Sequence, residues 1–306
     1  MRPSVRLLNV LTRVPPLLVG LLDDAAMFPP RGASIGDALA EHRELRRAWY
    51  ARLVGPLLVP ADEVGALWRG LRAAHAGEAG PASSADGAEK LAIGLVGPLT
   101  VVAGALVAAG DQVTVSHIEA PVAKRGEDPM PGVRAFLTVA AGRTGYAEVP
   151  LTWGLLAALD ALAEARASGQ PVAPKFRTGG LAAELFPTPV ELAAVICACR
   201  DRELPFKLTA GLHHALRHTD PETGFLHHGF LNVLAGAIAA ADGAEAADVA
   251  EVLATTDAVP LVETVRSRLD RERPLWIGYG TCAVADPLDD MRRLGLIFPP
   301  EADPSG

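Results

Sequence analysis

The sequence predicts an α/β protein, a single-domain (β/α)8 TIM barrel over residues 1–306. Three observations lead there. Short continuous apolar runs alternate with longer stretches of helical period, the pattern of parallel strands covered by helices. Eight such runs can be counted. The unusual polar residues collect at their carboxyl ends, where barrels keep their chemistry. A chain of 306 residues, 50% hydrophobic, can bury a large core. No domain boundary or internal repeat interrupts it.

The first run, Leu17–Leu22, reads as a buried strand spanning Pro16 to Asp23. Arg2 and Arg6 precede apolar residues, as in a secretory signal. Arg13, Pro15 and Pro16 break that run, and it is too short to span a membrane. Ser34 caps a charged amphipathic helix ending near Val54. Pro56–Val59 is the second strand and Ala61–His75 its helix. Residues 76–88, rich in Ala, Gly and Ser, read as a surface loop. Leu91–Val96 and Leu99–Ala109 form the third pair, and Val113–Glu119 is the fourth strand. Val133–Ala140 fits a strand by its β-branched content and a helix by its place in the alternation. Taken as the fourth helix, it makes Gly145–Val149 the fifth strand, before the helix Trp153–Ala167. Val172–Arg177 and Pro189–Arg202 are the sixth pair, and Phe206–Ala210 is the seventh strand. A long insertion, 212–274, holds a loop and the helices Leu231–Ala241, Ala246–Thr255 and Leu261–Leu269. Leu275–Tyr279 is the eighth strand, and Pro287–Leu294 closes the chain. The rival, an open doubly wound sheet, wants a glycine-rich first turn. Here that turn reads Asp23-Asp-Ala-Ala-Met-Phe-Pro-Pro30.

Composition narrows the function. With 28 basic and 36 acidic residues the net charge is −8, spread along the chain, which disfavours a nucleic-acid or anionic-membrane surface. Aromatics are 5% and do not alternate with basic residues. Three sparse cysteines, Cys197, Cys199 and Cys282, point to a reducing cytoplasm. The expected partner is a small molecule, with neither nucleic acid nor membrane, and self-association is left open.

The strand ends supply the candidate site. Asp23 and Asp24 end the first strand, His117 and Glu119 the fourth, and Glu148 the fifth. The eighth runs into Gly278-Tyr-Gly-Thr-Cys282. Lys175 and Arg177 share a strand face, as do Lys207 and Thr209, and His117 and Glu119. With these faces inward, two lysines converge in the lumen, and two readings stay open. Burial and a second cation lower a lysine pKa and supply a neutral amine. Alternatively, the lysines pair with Glu119 and Glu148 as buried salt bridges. Asp23 and Asp24 expect Arg177 or a lysine as partner.

Five histidines, His213, His214, His218, His227 and His228, follow the seventh strand. They suit a metal site completed by Glu119 or His117, an acid/base role for His213 or His214, or a solvated loop with one capping histidine. His228-Gly-Phe-Leu-Asn232 opens a helix, placing His228 and Asn232 near the mouth. Thr178, Gly179, Gly180, Gly211, Gly278, Gly280 and Thr281 follow the last three strands, where barrels often bind phosphate. Arg177 would add a bidentate donor. The plain alternative is that turns need glycine. Nothing places a base beside Cys282, which reads as a small core residue. Cys197 and Cys199 read as helix packing, and Asp286, Asp289 and Asp290 as carboxylates at a helix start.

The strings Lys175-Phe-Arg-Thr-Gly-Gly180, Thr188-Pro-Val-Glu191, Cys199-Arg-Asp201 and Pro205-Phe-Lys207-Leu-Thr-Ala-Gly211 carry a resemblance. They resemble the core of deoxyribose-phosphate aldolases, class I aldolases on a (β/α)8 barrel. The resemblance implies that Lys175 forms a Schiff base and that Lys207 depresses its pKa. Arg177 replaces a small residue, Ala210-Gly211 a glycine pair, and the histidine-rich insertion has no counterpart. The whole chain resembles an uncharacterised bacterial barrel family through Met27-Phe-Pro-Pro30, the two lysine strings and His228-Gly-Phe-Leu-Asn232. The function expected is a carbon–carbon lyase acting on a carbonyl substrate with an anionic group, without cofactor or metal. Glu119, Glu148, His213 or His214 would move protons. The alternatives are a metal-dependent hydrolase or isomerase using His213–His228, and a barrel that binds a small anion without chemistry.

Overall fold

Eight parallel strands close into a barrel in the computed structural model, which describes residues 14–77, 90–109 and 113–300. The staves are β1 (Leu22–Asp24), β2 (Val54–Pro60), β3 (Leu91–Val96), β4 (Val113–Pro121), β5 (Gly145–Glu148), β6 (Val172–Arg177), β7 (Phe206–Thr209) and β10 (Trp276–Thr281). A two-stranded antiparallel hairpin, β8 (His218–Thr219) and β9 (Leu226–His227), lies between β7 and β10 in the chain. Six helices link successive staves: α1 (Ile35–Arg47), α2 (Val64–Gly77), α3 (Leu99–Ala109), α4 (Met130–Val139), α5 (Leu155–Ala167) and α6 (Pro189–Arg200). Three more, α7 (Phe230–Ala241), α8 (Ala246–Ala254) and α9 (Ala258–Arg266), precede β10, and α10 (Ala285–Arg293) follows it. The predicted barrel is therefore found, and 133–140 is helical.

Local chemistry explains the helix starts. Thr188 and Glu191 form a capping box with Pro189 at the first helical position, and Ser34 accepts from Asp37 N. Two expectations need correction. Pro16–Leu18 is a 3-10 turn, with strand geometry beginning only at Leu22, because the Pro15-Pro16 pair removes the donors a strand would use. The first helix stops at Arg47, and a 3-10 turn, Ala51–Leu53, leads into β2. The part of the 76–88 loop from residue 78 onward lies outside the described residues. Among the described residues no helix is long and apolar enough to cross a membrane.

The barrel closes where β1 pairs with β10, and its amino end is tied by one guanidinium. Arg273 donates to the carbonyls of Leu17, Val19 and Gly20 on one side and of Trp276 and Ile277 on the other. Burial lowers its pKa to about 10 against the opposing pull of the Asp23 carboxylate, while five carbonyls take its hydrogen bonds at this seam. Hydrogen bonds to charged groups contribute about 1.5–3 kcal/mol each. Arg273→Met is expected to lower unfolding free energy by at least about 3 kcal/mol in urea titration. A loss near zero would show that the seam closes without it.

Candidate functional site

Strand alternation turns one face of each stave into the lumen, and register aligns those faces. Lys175 pairs with Lys207 across β6–β7 and with Glu148 across β5–β6. Glu119 pairs with Tyr146, and His117 with Gly94. Gly94 is required at its place: a Cβ there would lie 2.4 Å from His117 Nε2.

The centre of the lumen is Glu119, 1% exposed. Its Oε2 accepts from Lys175 Nζ at 2.7 Å, and its Oε1 from Lys207 Nζ at 2.5 Å and His117 Nε2 at 2.9 Å. Lys175 also reaches Glu148 Oε2 at 2.8 Å, and Lys207 donates to Asp23 Oδ2. Arg177 forks onto Glu148 Oε1 through Nε at 3.1 Å and Nη2 at 2.9 Å. Three carboxylates, Asp23, Glu119 and Glu148, thus face three cationic side chains, Lys175, Lys207 and Arg177. Tyr146 lies under Lys207, whose Nζ is 4.7 Å from the ring centroid, and packs on His117.

Burial acts against every charge here, and pairing outweighs it. Burial alone would raise the Glu119 pKa, but Lys175, Lys207 and His117 hold it well below the ordinary carboxylate value. The same contest, won by Lys175 and Arg177, lowers that of Glu148. Burial would favour a neutral Lys175, yet Glu119 and Glu148 raise its pKa; Asp23 and Glu119 do so for Lys207. The expectation that Lys207 depresses Lys175 is therefore corrected: each ammonium answers to carboxylates, as in the paired alternative. Burial raises Tyr146 to about 12, keeping its hydroxyl protonated.

Metal-ligating side chains converge at one place among the described residues. Asp23, His117 and Glu119 each present a ligand atom within 4.8 Å of the others. Lys207 Nζ touches all three, lying 3.4 Å from His117 Nε2, so an ammonium stands where a cation would bind.

Several expected site residues lie elsewhere. Asp24 points outward to His42 Nδ1 on α1 at 3.0 Å, not to Arg177 or a lysine. His214 is exposed, with Nδ1 3.7 Å from Asp290 Oδ2. His213 sits between Asp286 and Cys282. His228 is buried and donates from Nε2 to Pro187 O at 2.7 Å, and burial lowers its pKa to about 4. Asn232 accepts from Arg217 N and donates to Val252 O and Thr255 O, which fastens α7 to α8. Of the five histidines, His214, His218 and His227 do gather, with ring centroids 4.8 Å and 5.3 Å apart along the chain of contacts, while His228 turns away; they form no metal-ligating group among the described residues.

The glycine loops serve packing. A Cβ on Gly179 would lie 2.8 Å from Gly211 Cα, so the β6 and β7 loops meet backbone to backbone. Thr178 donates to Ala210 O at 2.5 Å across that contact, and Gly180 packs on Leu185. Thr209, Gly278 and Gly280 lie on lumen-facing positions, and Thr281 bonds Ala283. Tyr146 and Gly94 escaped the sequence reading; Tyr146 had a signal, standing two residues before Glu148 on the same strand face.

Beyond Glu148 a cavity of about 140 Å³ opens, lined by Arg125, Arg177, Glu184 and Glu191 among others. Glu148, the partner of Arg177, lines it too. Comparison with protein-family models, curated proteins and solved structures found no match to this chain.

The shifted groups set a pH window for stability. The lowered Glu119 pKa adds stability that is complete above 4.5 and lost as pH falls through the folded value. The raised lysine pKa values add stability that is complete below 10.5 and lost as pH rises through theirs. Denaturant midpoints are expected to be level from about pH 6.5, below which the lowered His228 pKa also costs stability, up to 10.5, and to fall on either side. Glu119→Gln should lower the plateau by about 3–5 kcal/mol and flatten the acid limb. An unchanged acid limb would assign it to other carboxylates.

Proposed function

We propose that the protein is a small-molecule enzyme of the class I aldolase type, in which Lys175 forms a Schiff base with a carbonyl substrate. One observation carries this reading. Lys175 Nζ lies between two carboxylate oxygens, at 2.7 Å and 2.8 Å, at the carboxyl end of the barrel and beside its mouth cavity. The resting amine is an ammonium, so activation begins with proton transfer to Glu148 or Glu119 as substrate enters. The neutral amine then adds to the carbonyl carbon, and the carbonyl oxygen takes up protons and leaves as water. With the imine as electron sink, a base removes the proton of a β-hydroxyl and the carbon–carbon bond breaks. Protonation and hydrolysis then release the second product. Lys207 keeps Glu119 anionic, and Tyr146 is a protonated hydrogen-bond donor nearby.

The substrate carries an anionic group. Among the described residues Arg125 makes one hydrogen bond, to Glu184 O at 3.3 Å, and attracts Glu191, which leaves donors for an anion in the cavity. Arg177 can exchange Glu148 for a substrate carboxylate or phosphate, which would also free Glu148 to accept the Lys175 proton.

Borohydride reduction with a panel of phosphorylated and carboxylated aldehydes and ketones should add substrate mass at Lys175. Lys175→Met should lose both trapping and at least about 10²-fold in turnover. Full turnover in that variant would end the proposal. Because Glu119 and Glu148 raise the Lys175 pKa, imine formation is expected to accelerate with rising pH. Glu148→Gln should shift that profile to lower pH; a shift to higher pH would assign the raised pKa to another source.

The grouping of Asp23, His117 and Glu119 favours one second reading, a divalent-metal enzyme in which Lys207 swings away. With Lys207 on those ligands, dialysis against a chelator is expected to leave turnover unchanged. Loss of turnover restored by added divalent cation would establish the metal reading instead.

A further inference from the structure

Cys282 follows β10 at the carboxyl end of the barrel, and its Sγ lies 3.9 Å from His213 Nε2. The other ring nitrogen, Nδ1, lies 3.6 Å from Asp286 Oδ2 in the first turn of α10. A thiol, an imidazole and a carboxylate thus line up through both nitrogens of one ring. Cys197 and Cys199 lie on α6 within the apolar core, and packing accounts for them. Cys282 is buried as well, 8% exposed, but stands outside that core cluster.

We propose that Cys282 is a nucleophilic thiol, with His213 as its base and Asp286 orienting the ring, that takes small acyl or alkyl electrophiles at the barrel mouth. An Nδ1–H directed at Asp286 leaves the Nε2 lone pair facing sulfur. Burial holds His213 below the ordinary imidazole pKa, so the ring is a proton acceptor at neutral pH. Burial also pushes the Cys282 thiol up. The resting pair is therefore neutral, and the proton moves as sulfur attacks. Toward iodoacetamide the balance is simple. A sulfur–carbon bond forms, iodide leaves with its electron pair, and the thiol proton passes to His213 Nε2 and on to water.

The charged and titratable groups facing the pair come from four places, one of them His227 on β9. The others are Asp286 on α10, His214 and His218 from the segment after β7, and Arg31, whose Nη1 donates to Cys282 O at 3.5 Å. Arg31, which holds the Cys282 carbonyl, also lines a surface groove of about 490 Å³ together with Val284. This site stands apart from Lys175, and neither proposal depends on the other.

The test is alkylation of the folded full chain with iodoacetamide, followed by peptide mass spectrometry. Cys282 is expected to react at least about tenfold faster than Cys197 and Cys199 in the same molecule, and His213→Gln to slow it by about 10²-fold. Asp286→Asn should fall between. Equal labelling of the three cysteines, or an unchanged Cys282 rate in His213→Gln, would overturn the proposal. Should His213→Gln unfold, seen as rapid labelling of all three, the wild-type pH profile decides. A rate rising through an imidazole titration supports the relay, and one following thiol ionisation alone overturns it.

Discussion

The lumen is organised around one carboxylate that serves two ammonium groups. Removing a carboxylate from water costs several kcal/mol even after relaxation, and Glu119 is 1% exposed. Its two oxygens recover that cost through Lys175, Lys207 and His117. Each lysine then needs a second carboxylate, supplied by Glu148 and Asp23, and Arg177 completes the set. No member can be removed without leaving an odd charge in a space with little water. Side chains crowd one side of the lumen because glycine occupies facing positions, including Gly94 beside His117.

Stability and reactivity pull against each other in this arrangement. The pairing that makes the lumen tolerable also keeps both amines protonated, so the resting site is chemically quiet. Chemistry on Lys175 requires an incoming group to take over part of the pairing. Glu148 and Arg177 are where that can happen, since they face the mouth cavity while Glu119 and Lys207 lie beneath. A substrate anion on Arg177 would loosen Glu148 and turn it from counter-ion into base. Under the proposed Schiff-base chemistry, substrate binding and amine activation would become one event, which would restrain the lysine from reacting with stray carbonyl compounds.

Much of this was legible from the residues. Apolar runs located the staves, with β3 and β6 bounded as predicted, because a fully buried parallel strand leaves a continuous hydrophobic signature. The period of two placed Lys175, Arg177, Lys207, His117 and Glu119 on inward faces. Side-chain pairing was not legible, since whether two lysines repel one another or share carboxylates depends on register across four strands. Asp24 shows the same limit. It neighbours Asp23, yet strand alternation sends it outward to His42. The hairpin strands, two residues each, are too short to leave any pattern, so nothing in the sequence showed that His218 and His227 would face each other across the hairpin while His228 turns away to Pro187. A glycine, likewise, looks the same in sequence whether it admits an anion or a neighbouring loop, as Gly179 does with Gly211.

Barrel closure explains how His213 and Cys282, far apart in the chain, come to meet. β7 and β10 are neighbouring staves, with Thr209 level with Gly280. Below that level β7 carries Lys207 inward; above it the chain leaves the barrel toward His213, while β10 passes through Thr281 to Cys282. Gly278 and Gly280 put no side chain into the lumen on the β10 side, so Lys207 reaches past that stave to Asp23 on β1 as well as to Glu119 on β4. The thiol and imidazole belong instead to the loops above the β7–β10 seam, where α10 adds Asp286. Two groups of reactive side chains can therefore share one end of a barrel without sharing residues. One is built from inward strand faces and fixed by charge pairing. The other is built from the loops that follow two adjacent strands and is held by contacts at 3.6 Å and 3.9 Å, long enough to tighten when a ligand arrives.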